Sequence, residues 1–132
     1  MGARFDGTVE LSRSPTAAAT REQTLLIAPV AAAETALERA GITWADVSTV
    51  ELNEASAVQS IACVDGWKID PEIVNTWGGA IAIGHPLGAS GARILGTLAQ
   101  RLRADGGRRG LAAICIGVGQ GLAVVLENLA AR

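Results

Sequence analysis

The chain has 132 residues, of which 49% are hydrophobic, and a formal net charge of −2 at pH 7. This length predicts a single domain over residues 1–132, because it allows one substantial core and is short for two. The basic residues are spread out, which argues against nucleic-acid binding, and no apolar run approaches the ~20 residues of a membrane span. Two cysteines and one histidine predict neither a disulfide framework nor a metal site, and the absence of an apolar signal core favours a cytoplasmic protein.

The amino-terminal part predicts one strand followed by a loop. Apolar or small side chains alternate with polar ones over residues 3–11, the period of a half-buried strand. The stretch that follows is rich in Ser, Thr and Ala and contains one proline. We therefore expect residues 1–25 to be partly loop, with disorder around residues 12–23.

A helix is predicted over residues 29–40 by its terminal residues as much as by its apolar side chains. Pro29 suits a first helical turn, and Gly41 suits a carboxy-terminal cap. Thr43 and Asp46 have the spacing of a capping turn.

The central part predicts a strand and then a second helix. Residues 47–52 are β-branched enough for a short buried strand, and Gly66 is expected to end the helix that follows. Cys63 is assigned to packing inside that helix. The apolar stripe predicted to face the core consists of Ala55, Val58, Ile61 and Ala62.

Residues 70 and 71, an Asp-Pro pair, predict a turn before a brief strand at residues 73–75. The glycine-rich loop at residues 78–91 is too apolar for a solvated linker, so we expect its backbone to pack closely against another part of the structure.

A third helix is predicted from residue 92 until Gly106 and Gly107 end it. Its buried stripe is expected to be Ile94, Leu95, Leu98, Ala99 and Leu102. The polar residues expected to face solvent are Arg93, Gln100, Arg101 and Arg103, and Arg108 and Arg109 are expected to extend this solvated end.

Two almost wholly apolar runs, at residues 111–116 and 122–126, predict central strands joined by a tight turn in the sequence GVGQG. The glycines of this turn lack the spacing of a dinucleotide fingerprint and lead into a strand, so we do not interpret them as a nucleotide site. The whole pattern predicts an α/β fold in which helices pack on a mixed sheet of about five strands.

Chemistry-bearing residues stand where predicted strands end, the usual place for reactive groups in α/β sheets. They are Asn53 with Glu54, His85 in the glycine-rich loop, and Cys115. Each also has a structural interpretation that residue type alone leaves open. Asn53 suits a helix cap, His85 a hydrogen-bonded structural residue, and Cys115 a buried strand cysteine.

Three stretches resemble the carboxy-terminal signature blocks of thiolases, in order and at the usual spacing. They are NEAS at residues 53–56, GGAIAIGHPLGASGAR at residues 78–93 and CIGVGQG at residues 115–121. The resemblance extends over about residues 26–128 and implies a thiolase-like half as the fold.

The same resemblance implies roles for four residues. Cys115 would be the general acid/base for the α-proton of an acyl-CoA. His85 would contribute to an oxyanion hole and help to activate the nucleophile, while Asn53 would hold a water that donates to the same hole. The Gly117 N–H would face a second oxyanion hole. The sequence departs from the usual pattern at Val118, where glycine is frequent, and at Ser56, where an aromatic residue is frequent.

The function implied by the resemblance is that of the carboxy-terminal catalytic half of a thiolase, an acyltransferase of fatty acid metabolism or β-oxidation that makes or cleaves 3-oxoacyl-CoA thioesters. Coenzyme A would be a co-substrate, with no covalently bound cofactor, cofactor-binding residue or metal expected. The nucleophilic cysteine belongs to an amino-terminal half absent from this chain, so the chain alone is expected to be inactive. Its expected partners are that half and further copies in a homo-oligomer. A non-catalytic domain that binds lipid or acyl-CoA, or acts as a scaffold, is the alternative.

Overall fold

The structure is a computed structural model that describes residues 10–13 and 27–131 of the chain. Two single-turn 3-10 helices, Trp44–Asp46 and Pro71–Ile73, lie between the main elements. No helix within these two ranges is long and apolar enough to cross a membrane. The main elements are β1 (Glu10–Arg13), α1 (Ala28–Ala40), β2 (Thr49–Leu52), α2 (Ala57–Trp67), α3 (Ala80–Ile83), α4 (Ser90–Asp105), β3 (Arg109–Ile116) and β4 (Gln120–Glu127).

The four strands form one mixed sheet in the order β1-β4-β3-β2. Strand β2 runs parallel to β3, whereas β4 is antiparallel to both β3 and β1. The predicted mixed sheet with two central strands is confirmed, and the expected count of about five strands is wrong for the described residues. Residues 73–75 contribute only the isolated bridge between Val50 and Val74, because a 3-10 helix takes up the preceding residues and Asn75 turns to a φ of 50°.

At the amino terminus, strand β1 overlaps the end of the predicted strand, and its last two residues fall where a loop was expected. Residues 3–9 of the predicted strand, and residues 14–23 of the stretch predicted to be disordered, lie outside the described residues.

The sheet separates two apolar layers because successive side chains of β3 and β4 point to opposite faces. On one face, α1 and α2 pack against Leu111, Ala113, Ala123 and Val125. On the other face, α4 places Ile94, Leu98 and Leu102 against Ala112, Ile114, Val124 and Leu126.

Helix α1 begins and ends as the sequence predicts. Pro29 lies in its first turn, and Gly41 caps it in the left-handed conformation, with φ 66°. The N–H of Ile42 donates to the Leu37 carbonyl, which satisfies one of the last free carbonyls of the helix. The capping turn after it is also confirmed, since the Thr43 N–H donates to Asp46 Oδ2 over 2.9 Å.

Two predictions about α2 are wrong. The helix continues through Gly66 to Trp67, and Lys68 provides the left-handed cap. Val58 and Ile61 of the predicted buried stripe are 76% and 70% exposed. The helix instead buries Gln59, Cys63 and Trp67, one turn apart each. Trp67 also stacks near Trp44, with ring centroids 5.3 Å apart.

In helix α4 most of the predicted buried stripe is confirmed, but the expected exposure of Arg101 is wrong. That side chain is 2% exposed and pairs with the fully buried Glu51 over 2.7 Å. It also donates to the Val50 and Ile73 carbonyls. The prediction that Arg101 faces solvent is wrong because a guanidinium can be buried when its donors find acceptors. The exposure expected of Arg103 and Arg108 is confirmed.

Candidate active site

The carboxy-terminal ends of the parallel strands β2 and β3 place Asn53 and Cys115 at the same edge of the sheet. The N–H of Asn53 donates to the Ala113 carbonyl over 2.8 Å. Cys115 lies two residues further along β3, which at ~3.3 Å per residue puts its backbone close to that of Asn53. Alternation along β3 places Cys115 on the α1/α2 face, with Leu111 and Ala113.

Asn53 and His85 are in direct contact although 32 residues separate them in the chain. Asn53 Nδ2 lies 3.2 Å from His85 Nε2, and Asn53 is fully buried. The interpretation of Asn53 as a helix cap is wrong, because the side chain of Ser56 accepts the Gln59 N–H and caps α2. The amide of Asn53 is thus left to the glycine-rich loop.

His85 is bonded at both ring nitrogens. Its Nδ1 lies 2.7 Å from Ser90 Oγ, and Ser90 Oγ donates to the Pro86 carbonyl over 3.0 Å. The imidazole is half-buried, so one side of the ring is open to solvent. Ser90 was missed by the sequence analysis, although its place in the first turn of α4, five residues after His85, is a usable signal.

The glycine-rich stretch at residues 78–91 is anchored by Glu54. Its carboxylate accepts the Ile81 N–H over 2.8 Å and an N–H of Asn75 over 2.9 Å. A Cβ at Gly79 would overlap the Glu54 carboxylate, so a larger residue there would displace that carboxylate from its hydrogen bonds. The expectation that this backbone packs closely is confirmed at Gly79 and is wrong further along, because residues 81–84 and 86–89 are exposed and a Cβ at Gly84 or Gly88 would meet no atom within 4 Å. The stretch includes α3 and the start of α4, which the sequence pattern did not predict.

Asn75 is a second anchor that the sequence analysis missed. Its Oδ1 accepts the Leu52 N–H and its Nδ2 donates to the Leu52 carbonyl, each over 2.8 Å. It therefore continues the hydrogen-bonding pattern of the sheet at the end of β2, directly before Asn53. The only sequence signal for it was a turn near a proline.

The two cysteines are free thiols in different surroundings. Burial raises the pKa of the Cys63 thiol to about 11, a shift that a hydrogen bond from Gln59 opposes and that charge on Cys115 reinforces. The packing role of Cys63 is confirmed by its full burial. Burial also raises the pKa of the half-buried Cys115 thiol, opposed by its own backbone N–H. Cys115 is thus a thiol, able to donate a proton, at neutral pH.

Gly117 begins the three-residue loop that joins β3 to β4. This loop is exposed at its first two residues, and a Cβ at Gly117 would meet no atom within 4 Å. Val118 adopts a φ of 58°, a conformation that is strained for a β-branched residue. Within residues 10–13 and 27–131, no three His, Cys, Asp or Glu side chains gather as metal ligands do.

An apolar cleft of about 350 Å³ lies behind the loop anchor. None of its lining residues is one of the four candidate catalytic residues. It is lined by Glu54, Ser60, Ile61, Val64, Pro71, Val74 and Asn75.

An α/β half-domain with asparagine, histidine and cysteine at one sheet edge is the arrangement that the thiolase resemblance implies, and comparison with known proteins supports the assignment. The family model described as "Thiolase, C-terminal domain" matches residues 8–128. The chain therefore belongs to the thiolase family, in the region of its carboxy-terminal domain.

Individual relatives agree. An acetyl-CoA acetyltransferase of Shinella zoogloeoides is 54% identical over 101 residues, which are 76% of this chain and 26% of that protein. A 3-ketoacyl-CoA thiolase of Colwellia psychrerythraea is 46% identical over 108 residues, 80% of this chain and 28% of that protein. The crystal structure of human mitochondrial 3-ketoacyl-CoA thiolase is similar with a TM-score of 0.80 and 39% identity, over 91% of this chain and 29% of that one. The chain thus spans about a quarter of the length of these curated relatives.

Proposed function

We propose that this chain supplies the acid/base and oxyanion-stabilising part of a thiolase active site, in an enzyme that makes or cleaves 3-oxoacyl-CoA thioesters. The observation that supports it most is the contact between Asn53 and His85, which joins two sequence blocks at the sheet edge where Cys115 also lies. Coenzyme A thioesters are the substrate, and a nucleophilic cysteine comes from an amino-terminal half.

Each residue has a distinct task in this proposal. Cys115 removes the α-proton of the acyl group in condensation and returns it in thiolysis. Its raised pKa favours the thiol that returns the proton and disfavours the thiolate that removes it. His85 accepts the proton of the nucleophilic thiol and then donates from Nε2 to the thioester oxygen. Asn53 holds a water that donates to the same oxygen, and the Gly117 N–H serves the second oxyanion hole. Donors of this kind typically contribute about 2.7–4 kcal/mol each.

The surface over residues 78–91 supports the proposed partner. Ile81, Ile83 and Leu87 are 63%, 63% and 85% exposed. Large apolar side chains exposed within one short segment favour an interface. We propose that this face binds the amino-terminal thiolase half, and that complete enzymes associate further into homo-oligomers.

The test is reconstitution with an amino-terminal thiolase half that contains the nucleophile. The chain alone should show no acetoacetyl-CoA thiolysis and no acyl adduct, and the mixture should show thiolysis. Cys115→Ala should lower α-proton exchange by about 10²–10⁴-fold while leaving acylation of the nucleophile. His85→Ala should impair both steps.

Cys63→Ala is the matched control, because it removes the other cysteine of the chain from a position assigned to packing. It should leave α-proton exchange intact in folded protein. A stoichiometric acyl adduct on Cys115, or unchanged exchange in Cys115→Ala, would rule out the assigned roles. If the chain stays monomeric and does not bind the supplied half, the alternative function as a non-catalytic binding or scaffold domain is favoured.

A further inference from the structure

Arg93, which the sequence pattern assigned to solvent, lies behind the contact between Asn53 and His85. It is half-buried on α4, and its Nη2 lies 3.5 Å from Asn53 Oδ1. Its Nε and Nη1 are buried, without a hydrogen-bond partner among the described residues. Nearby Glu51 is already paired with Arg101, so its carboxylate is not the hydrogen-bond partner of Arg93.

The side chains from Arg93 to Pro86 form one continuous line of hydrogen bonds. Arg93 meets Asn53, Asn53 meets His85, His85 meets Ser90, and Ser90 meets the Pro86 carbonyl. The three central groups can each reverse. The carboxamide can turn over, the neutral imidazole can hold its proton on either nitrogen, and the hydroxyl can rotate.

The Arg93 end of this line cannot reverse, and it selects one direction for the hydrogen bonds. A guanidinium only donates, so Asn53 must turn Oδ1 towards Arg93 and Nδ2 towards His85. Nε2 of His85 must then accept, which puts the ring proton on Nδ1. At the other end Ser90 Oγ can accept from Nδ1, because its own hydrogen can go to the Pro86 carbonyl, which also accepts the backbone N–H groups of Ala89 and Ser90.

We propose that Arg93 is a positioning residue that fixes the orientation of the Asn53 carboxamide and thereby keeps the proton of neutral His85 on Nδ1. Nε2 is then the unprotonated nitrogen of the ring, and its lone pair accepts from the Asn53 amide. This inference deepens the proposed function, where His85 accepts the proton of the nucleophile, but it concerns a property of this chain that exists without the partner half.

The experiment uses the single histidine of the chain, which gives one imidazole signal set in a ¹⁵N-labelled sample. Long-range ¹H–¹⁵N spectra, recorded in the pH range where the imidazole ¹⁵N shifts no longer change with pH, report which nitrogen holds the proton. The unaltered chain should show the Nδ1–H form. Arg93→Met should shift the tautomer ratio roughly 10-fold or more towards Nε2–H, because hydrogen bonds to charged groups have at least that effect.

Arg93→Lys should restore much of the original ratio, since it returns a donor-only cation. Arg103→Met, an exposed arginine on the same helix, is the matched control and should change nothing. If Arg93→Met does not fold, Asn53→Asp serves instead, because a carboxylate presents only acceptors and should place a proton on Nε2.

An Nε2–H form in the unaltered chain, or an unchanged spectrum in folded Arg93→Met or Asn53→Asp, would overturn the inference. Neither result depends on catalysis. The proposed function fails separately, through absent activity in the reconstituted enzyme.

Discussion

Replacing Arg101 with methionine should strongly destabilise the chain, because it leaves the Glu51 carboxylate buried without its counter-charge. Arg101 is 2% exposed, Glu51 is 0% exposed, and their closest atoms are 2.7 Å apart. The substitution also leaves the Val50 and Ile73 carbonyls without the guanidinium. Breaking a buried pair from one side costs about 3–5 kcal/mol. The free energy of unfolding of a small domain is about 5–15 kcal/mol, so this loss is a large fraction of it.

The stability lost in Arg101→Met should depend on pH and on the presence of Glu51. Burial raises the pKa of Glu51, and the hydrogen bond and charge of Arg101 oppose that shift. Removing Arg101 therefore raises this pKa further. A carboxyl with a raised pKa in the folded state favours folding below its unfolded pKa and loses that stability as the pH rises. The deficit of Arg101→Met should thus shrink in acid, and the double variant Glu51→Leu with Arg101→Met should recover most of it.

Urea unfolding followed by tryptophan fluorescence would measure these differences, since Trp44 and Trp67 lie together in the structure and urea adds no salt. Arg103→Met is the control, because an exposed substitution on the same helix should stay within about ±0.5 kcal/mol. A loss below roughly 1 kcal/mol for Arg101→Met, or additive effects in the double variant, would refute the reasoning.

Three further outcomes follow from backbone and thiol geometry. Val118→Gly should stabilise the chain by about 1 kcal/mol in thermal unfolding, since a β-branched residue at φ 58° is strained, and an unchanged midpoint would argue against that strain. Gly79→Ala should destabilise the chain by about 1–3 kcal/mol because its Cβ would meet the Glu54 carboxylate. Gly88→Ala is the control and should have little effect, since a Cβ there would meet no atom within 4 Å. Equal effects of the two substitutions would contradict the contact with Glu54. Because the pKa of Cys63 is raised from 9.0 to about 11, the free energy of unfolding should fall by roughly 2–3 kcal/mol between those pH values. Cys63→Ala should remove this contribution and leave only the alkaline slope due to the raised pKa of Cys115.

Features governed by near neighbours in sequence were predictable. The cap at Gly41, the Thr43 and Asp46 turn and the central hairpin depend on residues within a few positions, and all three are confirmed. The packing of Cys63 is confirmed although the apolar stripe predicted for its helix is wrong, since the helix buries the face of Gln59, Cys63 and Trp67 instead.

Features that depend on distant partners were not predictable in the same way. Arg101 is buried only because Glu51 stands 50 residues away, on the adjacent strand. The prediction of the buried face of α2 was wrong because Gln59 forms hydrogen bonds with Ser60 and Cys63, while Val58 and Ile61 face outwards. Polarity alone does not reveal such pairings.

The candidate site shows the same division. The resemblance identified Asn53, His85, Cys115 and Gly117 as a set, and the structure brings the first two into contact. Ser90 was not predicted and Arg93 was assigned to solvent, because each contacts another side chain that only the three-dimensional arrangement identifies.

The amide of Asn75 protects the exposed edge of the sheet from pairing with other chains. Strand β2 is an edge strand, and an exposed edge is a template for pairing with other chains. By occupying both the N–H and the carbonyl of Leu52, Asn75 closes the last hydrogen-bonding position of that edge with a side chain, and the Val50 bridge to Val74 covers the position before it. A few residues of irregular backbone thus protect the strand against edge-to-edge aggregation without the addition of a full strand.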